Sequence, residues 1–355
     1  MSLLDRMSLL ERLAAQIDAT GPLSVAQYMT ACLHDPDFGY YATRPALGEA
    51  GDFITAPLVS QMFGELIGVW AASAWTLLGE PERVVLVEMG PGDGTLMDDL
   101  LRAAAVLPGF LAATDVWLVE TSGPLRARQA ARLGDEVRWA ASLDEVPAGA
   151  PMLLVANELL DCLPARQFVK TAAGWAEQVV GLGDGGALAF GRVPAGLTLP
   201  DAREGVVYEQ SAAQTALGAQ LGERLARDGG AALLIDYGRD RPGFGDTLQA
   251  LRRHKKVDPL ASPGEADLTV HADFPAVMAA AEAAGAAAAI LTQAQFLARM
   301  GIGERAEALV RARPEKAAVI GRQLHRLVGG DQMGDLFKAC CLYSPDWIPP
   351  AFEEA

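Results

Sequence analysis

Apolar and polar positions along the chain predict strands and helices in alternation. Between residues 84 and 157, three aliphatic runs are separated by stretches whose apolar residues recur at helical spacing. The predicted elements are a strand at 84–88, a helix at 96–105, a strand at 115–120, a helix at 123–133 and a strand at 151–157. Strands separated by helices of this length form βαβ units, so we predict an α/β fold with a mainly parallel sheet.

Helical patterns also precede this alternation. Ser24 is suited to cap a helix that continues through Cys32, and Pro57 is suited to begin a longer helix. The polar, glycine-bearing stretch between them predicts a loop at 34–57. We therefore predict an N-terminal helical section, residues 1–80, whose loop approaches an active site, and a second domain over 81–355.

The pattern of apolar and polar residues changes after residue 164. Short β-like runs separated by glycines predict antiparallel strands inserted at about 165–205, followed by a helix at 212–226 and a buried strand at 231–238. The stretch 239–269 is predicted to be loop-rich and mobile, and its basic residues at 252–256 form either a solvated turn or a docking loop. The final strand is predicted at an edge of the sheet, preceded by a helix.

Charge and cysteine content narrow the classes of partner. The 355 residues are 51% hydrophobic, enough for a large core, and the net charge of −16 disfavours nucleic acid and anionic lipid. Cys32, Cys162, Cys340 and Cys341 show no zinc spacing, so we expect neither a metal site nor disulfides. Acidic residues near the N-terminus and the lack of a long apolar run argue against targeting or membrane insertion, so we expect a cytoplasmic protein.

The stretch VEMGPGDGTL carries the first functional signal. Gly90, Gly92 and Gly94 follow a strand and precede a helix, which exposes backbone N–H groups to a ligand; we call these three residues the glycine ledge. A dinucleotide fingerprint requires glycine at position 95, where Thr95 stands. An acid two residues before the first glycine, Glu88, instead fits the S-adenosylmethionine site of Rossmann-like methyltransferases. The alternative is a tight strand-to-helix turn without a ligand.

Further cofactor contacts are predicted at neighbouring strand ends. Glu120 ends the second strand, where an acid can accept both ribose hydroxyls, or it is an exposed strand cap. Ser142 and Leu143 follow the third short strand, at the position where such folds hold the adenine edge. Thr95 and Asn157 complete the predicted cofactor set.

Two acids follow the strand at 151–157 in NELLDCLPARQF. Glu158 and Asp161 lie at the same sheet edge as the glycine ledge, so we predict that they receive a second cation, the acceptor. In the alternative interpretation Asn157 caps a helix and Asp161 pairs with Arg166.

Several motifs follow one another along nearly the whole chain: GYYATRPALGEAGDFITAP, VEMGPGDGTL, NELLDCLPARQF, LIDYG and DLTVHADF. In this order they resemble the MidA-like family of methyltransferases, whose mitochondrial members help to assemble respiratory complex I. The resemblance implies a class I Rossmann-like fold with a mostly parallel seven-stranded sheet. It also implies an arginine N-methyltransferase that makes symmetric dimethylarginine on the 49 kDa-type subunit. The chain departs from the family where a glutamate often follows GDFxT, because Leu58 and Val59 stand there.

Arginine methylation gives the acids and aromatic residues candidate roles. A guanidinium has a pKa above about 12, so carboxylates must bind it and take the released proton. Glu158 is our first choice, followed by Asp161 or Asp52. The predicted substrate contacts are Tyr40, Tyr41, Thr55 and Gln61; the two tyrosines act either through cation–π contact or only in core packing. His271 is either a proton relay or a structural residue.

Three alternatives remain open from the sequence. The chain could methylate a small molecule or another side chain, or bind the cofactor only as a non-catalytic assembly chaperone. A nicotinamide oxidoreductase is disfavoured by Thr95. Apolar N-terminal helices allow a homodimer, although core packing explains them equally well.

Overall fold

The computed structural model describes residues 7–43, 55–134 and 137–353, so Asp52 lies outside the described residues. The helices are α1 (Leu9–Thr20), α2 (Val25–His34), α3 (Tyr40–Thr43), α4 (Ala56–Val59), α5 (Gln61–Leu77), α6 (Thr95–Ala104), α7 (Pro108–Ala113), α8 (Gly123–Leu133), α9 (Ala212–Asp228), α10 (Phe274–Ala283), α11 (Gln293–Arg299), α12 (Ile302–Ala312), α13 (Ala317–Val328) and α14 (Met333–Leu336). The strands are β1 (Leu23–Ser24), β2 (Val84–Met89), β3 (Thr114–Val119), β4 (Arg138–Ala140), β5 (Met152–Asn157), β6 (Arg166–Thr171), β7 (Gly174–Leu182), β8 (Leu188–Pro194), β9 (Val207–Gln210), β10 (Gly230–Arg239), β11 (Gln249–Arg252), β12 (Lys255–Val257), β13 (Asp267–Thr269), β14 (Ala272–Asp273), β15 (Ala287–Thr292) and β16 (Phe337–Tyr343).

The central sheet has the strand order β15-β16-β10-β5-β2-β3-β4, and the two-residue strand β14 pairs beside β10. β16 runs antiparallel to both of its neighbours, while β10, β5, β2, β3 and β4 pair in parallel. This confirms the predicted α/β, Rossmann-like class with a mostly parallel sheet. The carboxyl ends of β2, β3, β5 and β10 therefore meet at one edge, where ligands bind in open α/β sheets.

The last strand corrects the prediction that it lies at an edge. β16 lies between β10 and β15, and β15 is the edge strand. Cys340, Cys341 and Leu342 are fully buried because side chains on both faces of β16 pack under helices. A strand buried on both faces reads as an apolar run, and such a run does not reveal which strands it pairs with.

Alternate residues of each strand supply two apolar layers. Val84 and Leu86 face the helices α5 and α6, while Val85 and Val87 face α9 and α10. α5 crosses α6 closely, since a Cβ at Gly64 would lie 2.5 Å from Asp99 Cβ and one at Gly68 would lie 2.5 Å from Leu100 O. α6 begins directly after the glycine ledge, so this packing fixes where the ledge lies.

The segment after Pro57 differs from the single long helix predicted there. α4 ends at Val59, and Ser60 is extended, with φ −162°, before it caps α5 through a hydrogen bond from Met62 N to its Oγ at 3.3 Å. The cap supplies an acceptor for an N–H group that has no partner within the helix. At this break the chain changes direction: α4 lies at the cleft described below, and α5 packs in the core.

A second body of antiparallel strands packs beside the central sheet. β6, β7, β8 and β9 form the inserted sheet, and β1 extends it by pairing with β7. The stretch 239–269, predicted as loop-rich, contains a three-stranded sheet in the order β12-β11-β13. α1, α2 and both small sheets share a third apolar cluster. Within the described residues, no helix is both long and apolar enough to cross a bilayer.

Candidate active site

A cleft opens at the carboxyl edge of the central sheet. The elements that line it are the ends of β2, β3 and β5, the start of α4, α3 and β13. Ten of the residues predicted from the sequence line it: Tyr41, Thr55, Glu88, Gly90, Gly92, Thr95, Glu120, Asn157, Glu158 and Asp161. The α/β topology thus brings the predicted donor and acceptor residues into one cavity.

The glycine ledge adopts a conformation that other residues rarely reach. Gly90, Gly92 and Gly94 have φ of 67°, 55° and 83°, in the left-handed region. A Cβ at Gly90 would meet Leu159 Cδ1 at 3.1 Å. Gly94 is the N-cap of α6, so the N-terminus of this helix follows the ledge directly. The backbone here is open to a ligand in a way that side chains would prevent.

Thr95 braces this turn. Its Oγ1 donates to Asp93 Oδ1 at 2.6 Å and accepts from Arg132 Nη1 at 2.7 Å. Arg132 also pairs with Asp93 at 3.0 Å. These contacts explain why threonine stands where a dinucleotide site would have glycine, and they hold the Thr95 hydroxyl against protein groups.

Two buried oxygens in the cleft have no donor among the described residues. Glu88 is 3% exposed and its Oε2 has no hydrogen-bond partner there, and the same holds for Oδ1 of Asn157. Burial, reinforced by the charge of Asp93, raises the pKa of Glu88 to about 8. A buried acceptor without a donor is unfavourable. An ammonium group carries the N–H donors that these oxygens lack, which fits the amino end of the predicted cofactor.

Glu120 is linked to the ledge by a residue that we did not predict. Glu120 Oε1 accepts from Ser122 N at 2.7 Å, and burial raises the pKa of its carboxyl. The fully buried Gln129 donates from Nε2 to Gly92 O at 2.7 Å and lies 3.4 Å from Glu120 Oε2. Trp139 Nε1 fixes the amide by donating to Gln129 Oε1 at 2.8 Å. The available signal was a glutamine on the same helical face as the buried Leu125.

The two residues predicted to hold the adenine edge, Ser142 and Leu143, do not lie at the cleft with the other predicted cofactor contacts. Ser142 precedes a short 3-10 turn at Leu143–Glu145, and neither Ser142 nor Leu143 is among the described residues that line the cleft. Leu143 is 3% exposed and packs in the apolar layer with Val85 and Val87. Its apolar side chain is better buried than directed to solvent.

The first acid of the 158–161 turn is held in a strained conformation. Glu158 has φ 53°, which costs a residue other than glycine about 1–2 kcal/mol. Its N–H donates to Ile235 O at 2.8 Å, and its Oε1 accepts from Ala56 N at 3.1 Å and Asn157 Nδ2 at 3.0 Å. Both of these side-chain bonds use Oε1, which leaves Oε2 for another partner. Burial and the nearby charge of Asp161 raise the pKa of Glu158 to about 7.

The second acid is supported by β10. Asp161 accepts from Tyr237 Oη at 2.6 Å, and burial raises its pKa to about 6. Asp236, 1% exposed, accepts from the N–H groups of Leu160 at 2.8 Å and Asp161 at 3.1 Å, and burial raises its pKa as well. The alternative pairing of Asp161 with Arg166 is wrong, because Arg166 donates to both carboxylate oxygens of Glu177, at 2.7 and 2.5 Å.

The two tyrosines of the GYY turn take different positions. Tyr41 lines the cleft, donates from Oη to Asp267 Oδ1 at 2.9 Å, and stacks on His34 with 5.9 Å between ring centroids. Burial lowers the pKa of His34, which favours its neutral form. Tyr40 is 1% exposed and contacts Tyr41 edge to face, so it packs in the core behind the cleft wall.

Gln61 and His271 lie away from the cleft. Gln61 is exposed and donates to Glu65 Oε1 at 3.1 Å, while Glu65 is held by Arg102 and Arg305, each with a contact at 2.7 Å. His271 donates from its backbone N–H to Thr247 Oγ1 at 2.8 Å. Its ring contacts Tyr237 edge to face at 5.6 Å, which places it behind the hydroxyl that reaches Asp161.

Thr55 lines the cleft as the N-cap residue of α4, and its side chain makes no capping hydrogen bond. The described residues contain no group of three or more histidine, cysteine, aspartate and glutamate side chains arranged to hold a metal ion. Among the described residues, the cleft therefore offers carboxylates and backbone groups for binding organic cations.

Comparison with known proteins agrees with this chemistry. A family model of S-adenosyl-L-methionine-dependent methyltransferases matches residues 66–292. The chain is 36% identical over 363 residues to "Protein arginine methyltransferase NDUFAF7, mitochondrial" of Danio rerio, covering 93% of this chain and 86% of the relative. The protein of the same name from Homo sapiens is 36% identical over 345 residues, 85% of this chain and 75% of the relative.

The fold matches a solved bacterial structure over almost its whole length. A protein from Burkholderia thailandensis, described as a "likely methyl transferase" and crystallised with S-adenosyl-homocysteine, is 31% identical with a TM-score of 0.86, covering 98% of this chain and 95% of that one. A second, native structure from the same organism gives 0.83 at 31% identity, covering 98% of this chain and 94% of that one. The chain therefore belongs to this family of S-adenosyl-L-methionine-dependent methyltransferases, and S-adenosylmethionine is its cofactor.

Proposed function

We propose that this chain is a protein arginine N-methyltransferase that acts on the 49 kDa-type subunit of respiratory complex I, forms symmetric dimethylarginine and supports assembly of the complex. The arginine class is supported by the names of the relatives at 35–36% identity. The subunit and the symmetric product follow from the family resemblance of the motifs. We place the protein in a bacterial cytoplasm, as the counterpart of its mitochondrial relatives.

In this proposal the donor half of the cleft binds through backbone and carboxylates. Glu88 Oε2 and Asn157 Oδ1 receive the ammonium group, since both lack donors among the described residues. Glu120 receives the ribose hydroxyls, and the glycine ledge lies under the methionine and ribose portions. The bound cofactor supplies a methyl group on a positively charged sulfur.

The single observation that carries the acceptor assignment is the carboxylate of Glu158. It lies at the cleft on a left-handed residue, with Oε1 anchored by two donors and with a pKa raised to about 7. Such strain at a cleft is typical of functional positions. Oε2 is the atom that would accept a guanidinium N–H. Binding of a cation there favours the ionised form, because opposite charges lower a carboxyl pKa.

Asp161 and Tyr41 complete the acceptor half. Asp161 is oriented by Tyr237 and provides a second carboxylate near Glu158, while Tyr41 provides an aromatic wall. The bound cofactor would supply the methyl group to the arginine nitrogen and would leave as neutral S-adenosylhomocysteine. The attacking nitrogen gives up one proton, which Glu158 Oε2 accepts. Holding the nitrogen in line with the methyl carbon supplies much of the rate enhancement.

The direct test uses purified protein, the 49 kDa-type subunit and isotopically labelled S-adenosylmethionine, with tandem mass spectrometry of the product. We expect label on arginine as symmetric dimethylarginine, and none when the protein is omitted. Label on another residue type would overturn the arginine assignment. Absence of label, together with assembly rescued in cells by a variant that cannot bind the cofactor, would favour the non-catalytic chaperone.

A further inference from the structure

A basic hairpin stands beside the acceptor half of the cleft. β11 and β12 pair with Arg252 opposite Lys255, so Arg253 and His254 form a two-residue turn. Arg253, His254, Lys255 and Lys256 are all exposed. The whole chain is strongly acidic, with a net charge of −16, so this concentration of positive charge is locally unusual. We call residues 252–256 the basic hairpin.

The turn conformation is not one that these residues favour. Arg253 and His254 have φ of 50° and 59°, both in the left-handed region. Turns of this type are usually formed by Asn-Gly or Asp-Gly, since those residues reach positive φ more readily. Arginine and histidine at these positions therefore cost backbone stability.

Strand register places the hairpin at the rim of the cleft. Leu251 pairs with Asp267, whose carboxylate lines the cleft and accepts from Tyr41. With strands about 5 Å apart and a rise of about 3.3 Å per residue, the Cα of Arg253 lies roughly 8–10 Å from that of Asp267. Arg252 is tied to this strand end by Glu265, with 2.8 Å between Arg252 Nη2 and Glu265 Oε2.

Strand register puts Lys256 in one cross-strand row with Leu251 and Asp267, so these three residues share one face of the small sheet. Lys255 pairs with Arg252 on the opposite face. Lys255 and Lys256 form no ion pair with the described residues. The charge of Lys256 reaches His271, whose pKa is lowered chiefly by burial and further by Arg239 and Lys256. His271 in turn contacts Tyr237, the donor to Asp161. The cleft therefore has an acidic floor, and the positive charge of Lys256 and of the exposed turn lies just outside it, at the rim next to Asp267.

We propose that the basic hairpin binds acidic residues that flank the methylated residue in the acceptor polypeptide. This inference rests on the proposed function and adds a substrate class: a target cation that enters the acidic floor from a segment whose neighbouring residues are Asp or Glu. Uncharged acceptors such as small molecules would make no use of the rim. Opposite charges at the rim would also orient the incoming chain before the target side chain enters.

The test compares three synthetic peptides with the same central arginine, flanked by Asp and Glu, by Asn and Gln, or by lysine. Binding is measured by fluorescence anisotropy with S-adenosyl-homocysteine present, and methyl transfer is measured in parallel. We expect the wild-type protein to favour the acidic peptide over the neutral one by about three- to tenfold. Raising the salt concentration should reduce this preference, because exposed charges are screened.

The double variant Lys255→Gln, Lys256→Gln should bring the acidic-to-neutral ratio close to one, and Lys255→Glu, Lys256→Glu should reverse it toward the lysine peptide. The matched control is Arg192→Gln, Arg203→Gln, which removes the same charge from exposed positions on and near the inserted sheet and should keep the wild-type ratio. Calorimetry with S-adenosyl-homocysteine confirms that each variant is folded.

Two results would overturn the inference. One is a wild-type protein that binds acidic and neutral peptides equally, and the other is a hairpin variant that keeps the full preference. A hairpin variant that alters only the oligomeric mass in sedimentation would assign the hairpin to a contact between copies instead. Failure of the proposed function looks different: no peptide would be methylated on arginine, while the binding preference and its loss in the variants would still be measurable.

Discussion

The two halves of the cleft are built in different ways. The donor half consists mainly of backbone at the ends of β2 and β3, in which three glycines with positive φ fix the surface. The acceptor half consists of side chains on the 158–161 turn, whose positions depend on β10, α4 and α3. The backbone surface of the donor half is thus encoded within residues 88–95, to which Glu120 and Asn157 are added from the ends of neighbouring strands. The acceptor half is assembled from distant parts of the chain.

This difference predicts which substitutions impair cofactor binding and which impair turnover. A backbone surface is lost when a Cβ is added, whatever the chemistry of the side chain. The position of a carboxylate that is held by distant donors changes when any one of these donors moves. Substitutions in the two halves should therefore separate cofactor affinity from turnover.

The largest expected effect is on the donor half. Gly92→Val places a branched side chain at φ 55°, on the surface that would carry the cofactor, and we expect calorimetry to show at least a hundredfold loss of S-adenosyl-homocysteine affinity. Gly185→Val is the matched control, because Gly185 has φ 74° with open space around it in the inserted region. Equal affinity in wild type and Gly92→Val would show that the ledge does not carry the cofactor.

A smaller effect is expected from the support of the acceptor half. Asp236→Asn leaves a single acceptor oxygen for N–H groups that two carboxylate oxygens now satisfy, so the 158–161 turn should shift. We expect kcat to fall about 10- to 100-fold with less than a threefold change in cofactor affinity, and the acidic limb of the pH profile to shift. Asp240→Asn, an exposed neighbour, serves as the control. An equal loss of cofactor affinity and turnover would argue for general unfolding.

The smallest expected effect concerns proton release when the donor half binds the cofactor. Since the pKa of Glu88 is raised to about 8, the free protein carries this carboxyl mostly protonated at pH 7, and binding an ammonium should release up to one proton. Calorimetry in buffers of different ionisation enthalpy measures this release. Glu88→Gln should abolish it, whereas Glu82→Gln, at an exposed position, should not. Identical proton release in wild type and Glu88→Gln would remove Glu88 from the cofactor site.

The same raised pKa predicts how stability changes with pH. The folded state holds the Glu88 proton up to about pH 8, while the unfolded chain loses it near 4.5, so the folded state binds more protons in that window. The free energy of unfolding should therefore fall as pH rises from about 4.5 to 8. Glu88→Gln should stabilise the cofactor-free protein at pH 8 by about 1–3 kcal/mol, measured by urea unfolding.

Local sequence patterns predicted the elements that position the donor half. The strands at β2, β3 and β5, the helices α6 and α8, and the ledge between β2 and α6 follow from short apolar runs and glycine spacing, whereas α7 was not predicted. Long-range pairing was not predictable in this way. β16 enters the sheet interior because β10 and β15 offer free edges, and nothing within residues 337–343 specifies those partners.

The residues that hydrogen-bond to the site residues from behind were also not predictable from the sequence, for physical reasons. Asp236 and Gln129 are polar residues in buried positions, and burial of such groups requires partners that single-sequence patterns do not identify. The acid within the aliphatic run LLIDYG was the available signal for Asp236. The helix predicted from Pro57 ends at Val59 because the hydroxyl of Ser60 caps α5. Capping α5 competes with the continuation of α4 through Ser60.

The central claim is that cofactor and acceptor meet at Glu158, and a single-turnover measurement with Glu158→Gln tests it most directly. The amide keeps the shape and the hydrogen bond from Ala56 N to Oε1 but cannot accept the proton. We expect the cofactor dissociation constant to stay within about twofold of wild type, while methyl transfer to arginine slows by about 10²- to 10⁴-fold. Transfer at the wild-type rate by Glu158→Gln would contradict the account.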